Sequence, residues 1–303
     1  MRFSLRLLSG PALGLGGAAL AALLASAVSA PPAAAAPAGV VFCPHFHCST
    51  SLIQDAIDSA ASGSTIGIGA GTYQGDGVII NKSVTLQAYG PVTIDAEHSA
   101  SNPGDVLFIT SSATVTIDGL TITGGYAQPS VRWGGGISNY GTLTVRNSVI
   151  TGNNGATGAE GGGIYNGGDL TVIGTTITGN TAEFAGGIAN YRVMVLRGSR
   201  VTDNSASYNG GGLDNAYGAV ATISGTVFSG NSSTLAGAGL GGAIDNYEST
   251  LTVDNSVIVD NSATKDGGGI FSWAGTTPAS TVSLGYDLIV GNTPDNCAGD
   301  ASC

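Results

Sequence analysis

From residue 134 onward the chain repeats one order of apolar and polar positions. A glycine-rich triplet, a branched aliphatic residue, a variable residue and Asn read GGGISN at 134–139, GGGIYN at 161–166, AGGIAN at 185–190, GGGLDN at 210–215 and GGAIDN at 241–246, with GGGIFS at 267–272 closing on Ser. The aliphatic residue recurs at Ile137, Ile164, Ile188, Leu213, Ile244 and Ile270, 24 to 31 residues apart. A second beat, a short apolar run, ends on Asn153, Asn180, Asn204, Asn231, Asn261 and Asn292. Between the beats, Leu143-Thr-Val145, Leu170-Thr-Val172, Met194-Val-Leu196, Ala221-Thr-Ile223 and Leu251-Thr-Val253 alternate in the way of half-buried strands. A repeat of this length is one supersecondary unit stacked on its copies. With no helical pattern of useful length after Gly63, the economical solution is an all-β parallel β-helix, one coil per repeat.

Polar positions within the beat fit the same picture. Stacked asparagines can bond amide to amide along the axis, predicting one column through Asn139, Asn166, Asn190, Asn215 and Asn246 and another through Asn153 to Asn292. The triplets suit tight corners that need positive φ or close backbone approach. Earlier coils are degenerate, with short strands expected at 64–68, 77–80, 84–86, 92–94, 106–109 and 115–122. Ahead of them, Ser51-Leu-Ile-Gln54 has capping-box spacing, and Leu52, Ile53, Ala56, Ile57 and Ala60 share a helical face ending at Gly63. That helix should plug the open end of the core. About nine coils at about 4.8 Å each make a rod of about 43 Å. The expected organisation is a signal peptide and Ala/Pro-rich leader at 1–36, an N-terminal cap at 37–63, the β-helix at 64–292 and a disulfide-tied C-terminal cap at 293–303.

The ends of the chain set the compartment. Arg2 and Arg6, the apolar run at 13–24 and the small residues that follow read as a cleaved secretory signal, and the run is too short to be a good membrane span. A secreted, extracellular protein is expected, with no membrane span in its mature form. Formal net charge is -11; losing Arg2 and Arg6, with no acid before Asp55, makes it -13. Such a surface disfavours nucleic acid and anionic membranes and suits a neutral or basic partner. In an oxidising compartment the four cysteines read as two local disulfides, Cys43 with Cys48 and Cys297 with Cys303. Cys43-Pro-His-Phe-His-Cys48 lacks the distant ligand pair of a structural zinc site, so no metal is assigned.

The GGxI…N and (F/I)xxN beats resemble the repeat of the chlamydial polymorphic outer membrane proteins over about 134–292. The segments SLIQDAI at 51–57, GAGTY at 69–73 and KSVTL at 82–86 resemble the opening of pectate-lyase-like right-handed β-helix proteins. That resemblance implies a right-handed coil and an extracellular, often carbohydrate-facing role, in a group that includes lyases, hydrolases, esterases and adhesins. No block of this chain matches the catalytic motifs of those enzymes.

Chemistry must therefore come from outward columns. The variable residue of the first beat reads Ser138, Tyr165, Ala189, Asp214, Asp245, Phe271, which makes Asp214 and Asp245 neighbours about 5 Å apart. Such a pair can raise one carboxyl for general acid work, serve a glycosidase or hold Ca²⁺; alternatively both face water, splayed by the longer insert at 234–239. Just after the closing Asn lie Tyr140, Tyr191, Tyr247 and Trp273, with Tyr217 one step out of register. These rings can stack on sugars or cover the glycine corner. Arg197 or Arg200 beside Asp203 could neutralise a uronate for a lyase, against the plainer surface ion pair. The leading expectation is a secreted binding module that contacts polysaccharide or cell-surface glycan through Tyr140, Tyr191, Tyr247 and Trp273, with no cofactor beyond an admissible Ca²⁺. The alternative is a carbohydrate-active enzyme, lyase or glycosidase, with Asp214 and Asp245 as its catalytic carboxylates.

Overall fold

Successive repeats stack in strict parallel register. The structure, a computed structural model, describes residues 40–41, 47–128, 133–273 and 280–303. The leader at 1–36 and Cys43 lie outside the described residues, and with them the expected Cys43–Cys48 loop; Cys48 itself is disulfide-bonded. Ile164 pairs with Ile137 and Ile188, and Leu213 with Ile188 and Ile244, so every copy of the beat lies on the next. Unequal repeat lengths are therefore absorbed by the turns.

The result is an all-β parallel solenoid of about nine coils. A nine-stranded sheet runs from Val78–Ile80 to Cys297–Gly299 and carries the glycine-triplet beat. A six-stranded sheet of two-residue strands begins at Tyr126–Ala127. A seventeen-stranded sheet covers the remaining faces. It is continuous because Ser64–Gln74, Val84–Asp95 and Thr114–Thr123 run through a corner that later coils break, for example at Asn147 with φ 50°. The alternating pattern is obeyed: Leu143, Val145, Leu170, Val172, Met194 and Leu196 point into the core while their neighbours face out. Ile137, Ile164, Ile188, Leu213, Ile244 and Ile270 are fully buried.

At corners the backbone leaves its sheet, and its polar groups need other partners. Asparagine supplies them. Asn139 Nδ2 donates to Asn166 Oδ1 at 2.7 Å, Asn166 to Asn190 at 2.7 Å, Asn190 to Asn215 at 2.7 Å and Asn215 to Asn246 at 2.8 Å. The second column bonds Asn153 through Asn180, Asn204, Asn231 and Asn261 to Asn292 at 2.9–3.0 Å. In that column each side-chain oxygen also accepts the preceding Asn's backbone N–H, as in Asn180 N–H to Asn204 Oδ1 at 3.0 Å. A third column, which the sequence pattern did not announce, runs through Ser148, Thr175, Ser199, Thr226 and Ser256. Each hydroxyl in it donates to the carbonyl two residues back, and those after Ser148 accept the backbone N–H of the preceding coil's member.

Glycine in the triplet's second place is required by the next coil. A Cβ at Gly162 would press on the carbonyl oxygens of Thr181 and Gly186, and Gly135, Gly186, Gly211, Gly242 and Gly268 are hemmed in by backbone in the same way. The first place is more tolerant: Ala185 occupies it at φ 54°.

The expected helix is present at Ser51–Ser59, with Ile53 and Ile57 fully buried against the core. Its capping box is not. Thr50 is the N-cap, without a side-chain cap bond, and Leu52 is exposed. Gln54 is diverted to the sheet: its Nε2 donates to the Ile79 carbonyl at 3.1 Å and its Oε1 accepts the Ile79 N–H at 2.8 Å. One side-chain amide thus occupies the free edge of the first strand of the nine-stranded sheet, which a bare solenoid end would leave open. At the other end Cys297–Gly299 adds the last strand of that sheet, and Cys297 is disulfide-bonded to Cys303.

Two substitutions test these constraints by denaturant unfolding. Gly162→Ala should cost about 1–3 kcal/mol through overpacking against rigid backbone. Asn204→Ala should cost at least about 2 kcal/mol, because more than one buried group loses its partner at about 1–3 kcal/mol each. Wild-type stability in either variant would refute the corresponding constraint.

Candidate functional site

The variable position of the beat is covered on every coil but one, Tyr165 being part-exposed. The glycine turn folds back over it, as where Gly134 N–H donates to Ser138 Oγ at 3.1 Å, and Ser138 and Ala189 are fully buried there. Asp214 and Asp245 occupy the same covered position. They are direct register partners on adjacent strands, 5 % and 1 % exposed. This corrects the expectation that the insert at 234–239 splays them into water: the insert lies in a turn, and the strand register holds the two aspartates together.

The two are not equivalent. Asp214 lines a cavity of about 140 Å³, together with Glu160, Phe184, Tyr191, Asn209, Ala216, Tyr217 and Tyr247. Asp245 sits on the next coil and is not among the lining residues. Each aspartate has a buried Oδ1 without a hydrogen-bond partner. Burial, then the charge of Glu160, pushes the Asp214 carboxyl up to about 7. Burial, then the charge of Asp214, raises Asp245 well above the ordinary carboxylate range, against a smaller opposing hydrogen bond from the Asn246 backbone. Glu160 is raised by burial and partly restored by a hydrogen bond from Tyr191. Tyr191 is itself raised, chiefly by burial and then by the charges of Asp214 and Glu160, so it stays a neutral donor.

Glu160 belongs to a column that the repeat reading passed over. The residue immediately before each triplet reads Trp133, Glu160, Phe184, Asn209, Leu240, Asp266. Bridges between Glu160 and Phe184, Asn209 and Leu240, and Leu240 and Asp266 bring this column onto the rim, where Glu160, Phe184 and Asn209 line the cavity. It was as legible as the aspartate column, since it lies at a constant offset from the glycines.

The aromatic column is longer than the four rings first singled out. Ring centroids step from Phe108 to Tyr140 (5.6 Å), Tyr165 (5.5 Å), Tyr191 (5.5 Å), Tyr217 (5.8 Å), Tyr247 (5.4 Å) and Trp273 (6.3 Å). Tyr165 enters from the variable position, and Tyr217 completes the series despite its one-residue offset. Tyr217 and Trp273 are 68 % and 52 % exposed, so the ladder has open ring surface beside the cavity. The arginines do not join it. Arg146 binds Asp118 at 3.0 Å and Arg192 binds Asp169 at 3.4 Å, and neither Arg197 nor Arg200 lines the cavity. Among the described residues no group of three or more His, Cys, Asp and Glu is arranged to hold a metal ion, and no helix is long and apolar enough to cross a membrane.

Solved structures share this architecture. A pectin methylesterase from Aspergillus niger, in deglycosylated form, superposes with a TM-score of 0.53 at 14 % identity, over 88 % of this chain and 92 % of that one. The chain shares its fold with a pectin methylesterase. The same enzyme in a penultimately deglycosylated form gives 0.52 at 13 % identity over the same shares. The pectate lyase Pel9A superposes more loosely, at 0.43 and 16 % identity over 82 % of this chain and 72 % of that one. No protein-family model matches the chain, and no curated protein matches it in sequence.

The raised carboxyls fix a direction for stability against pH. Asp214 binds its proton more tightly folded than unfolded, about 7 against 3.8, so the folded state holds more protons in that window and stability falls as pH rises through it. Asp245 acts in the same direction. Asp245→Asn should therefore raise the melting temperature above pH 7 and change it much less near pH 4. An equal effect at both values would show that Asp245 carries no burial penalty.

Proposed function

We propose that this chain is an extracellular polysaccharide-acting enzyme that hydrolyses glycosidic bonds, with Asp214 as its proton donor. The observation that carries the reading is the Asp214 carboxyl: almost fully buried, on the cavity wall, with a free oxygen and a proton affinity raised to about 7. A group so tuned can give a proton to a leaving oxygen near neutral pH. Glu160, on the same cavity and hydrogen-bonded by Tyr191, is the partner carboxylate that supports the developing positive charge or activates water. Asp245 does not reach the cavity; it lies in register behind Asp214, whose charge, after burial, raises the proton affinity of Asp245. The rings of Tyr191, Tyr217, Tyr247 and Trp273 provide a surface on which sugars can stack beside the acid. The fold shared with a pectin methylesterase supports a glycan-facing role. With no Arg or Lys lining the cavity among the described residues, a lyase reaction on a polyuronate is the weaker candidate.

The reading is tested by incubating the purified protein with neutral, acidic and amino polysaccharides and measuring new reducing ends. Turnover is expected to fall as pH rises through about 7, and Asp214→Asn should lower it at least about 100-fold, the low end of general-acid contributions, while the variant remains folded. Unsaturated products, or release of an esterified alcohol without chain scission, would replace hydrolysis with another chemistry. A second reading is a glycan-binding module without turnover, favoured by the exposed faces of Tyr217 and Trp273. In that case Trp273→Ala should weaken glycan binding while Asp214→Asn leaves it unchanged.

A further inference from the structure

The cavity beside Asp214 combines aromatic and acidic walls. Its walls are aromatic on several sides, with Phe184, Tyr191, Tyr217 and Tyr247 all lining it. Tyr191 and Tyr217 stack at 5.8 Å and Tyr217 meets Tyr247 edge-on at 5.4 Å. Its other walls carry two acids, Glu160 and Asp214, beside Asn209 and Ala216, and Asp245 lies directly behind Asp214. No cation among the described lining residues offsets these carboxyls. The buried Asp214 Oδ1 has no hydrogen-bond partner, although a buried carboxylate oxygen without one is costly.

Aromatic faces around a small space attract an organic cation through their negative ring surfaces, and carboxylates at the same wall supply its counter-charge. With Asp214 holding its proton, Glu160 is the lining carboxylate that faces such a cation, and a uronate would be repelled. We propose that this cavity is a binding site for an organic ammonium group, and that the polysaccharide acted on by the protein carries free amines, as a deacetylated amino-sugar polymer does. The substrate assignment rests on the hydrolase reading; the ammonium site stands on the cavity's walls alone. The chain's negative net charge adds long-range attraction for a polycationic glycan.

Titration calorimetry on the whole mature protein tests this with defined probes: a fully deacetylated glucosamine oligomer, its N-acetylated counterpart, a glucose oligomer of equal length, choline and Ca²⁺. The deacetylated oligomer should bind at least about tenfold more tightly than either uncharged oligomer. Tyr217→Ala should lower that affinity at least about tenfold and Tyr217→Phe should retain it, because the ring face is what the cation meets. Glu160→Gln should reduce the preference for the charged oligomer. Heats should vary with buffer ionisation enthalpy, since a cation beside Glu160 offsets the burial that raises that carboxyl and releases a proton from it, while Asp214 keeps its own. Choline binding without oligomer binding would support the site and name a quaternary ammonium as its occupant. Equal affinity for charged and uncharged oligomers, or Ca²⁺ binding that excludes choline, would overturn it. The two proposals fail separately: binding of the deacetylated oligomer without cleavage removes the hydrolase, and cleavage of uncharged glycans without ammonium preference removes the cage.

Discussion

Every coil of this solenoid must satisfy, at each corner, backbone groups that no strand can reach. Strand pairing settles the flat faces, but where the chain turns the N–H and C=O groups point along the axis into a buried environment. Three polar columns meet that demand. Two are asparagine, whose amide both donates and accepts and so can bond its copy above and its copy below. The third is Ser or Thr, with the hydroxyl bonding back to its own turn and accepting from the preceding coil. Because each link uses the next coil, the columns make register cooperative: shifting one coil by a residue would break all three at once.

The same constraint explains where variation is permitted. Inward aliphatic positions and column positions are committed to packing and to hydrogen bonds, and the second glycine of each triplet is committed by contact with backbone. What remains at this corner are three variable positions per coil: one inside the beat, one immediately before the triplet and one just after the closing Asn. All three contribute to the same cavity. Asp214 comes from the first, Glu160, Phe184 and Asn209 from the second, and Tyr191 and Tyr247 from the third, so chemistry is assembled by placing unusual residues in variable positions on neighbouring coils.

Covering the variable position by the glycine turn decides the electrostatics. In water, two stacked aspartates would stay ionised and ordinary. Beneath the turn both are dehydrated; the charge of Glu160 further raises Asp214 and that of Asp214 further raises Asp245, so both become proton-binding groups. Tyr165 and Tyr191 beside them are kept neutral chiefly by burial, with Tyr165 pushed up to about 12 and Tyr191 raised further. A donor hydroxyl, a protonated acid and open ring faces are thereby brought to one place on an otherwise repetitive rod.

By itself the sequence determined the coil, its period, the inward aliphatic column, both asparagine ladders, the helix at the N-terminal end and the adjacency of Asp214 and Asp245. Each of these depends on residues at constant offset within a repeat, and constant offset becomes constant position once strands pair in parallel. Only the tertiary structure decided that Gln54 occupies a sheet edge instead of capping its helix, that the serine and threonine column is part of the framework, and that Tyr217 closes the aromatic ladder from one residue out of step. It also decided that the aspartates are buried, that Asp214 alone of the two meets the cavity, and that Glu160 stands beside it. These outcomes depend on which way a turn folds over the sheet and what it covers, and that is set by contacts between coils, to which no single repeat holds the answer.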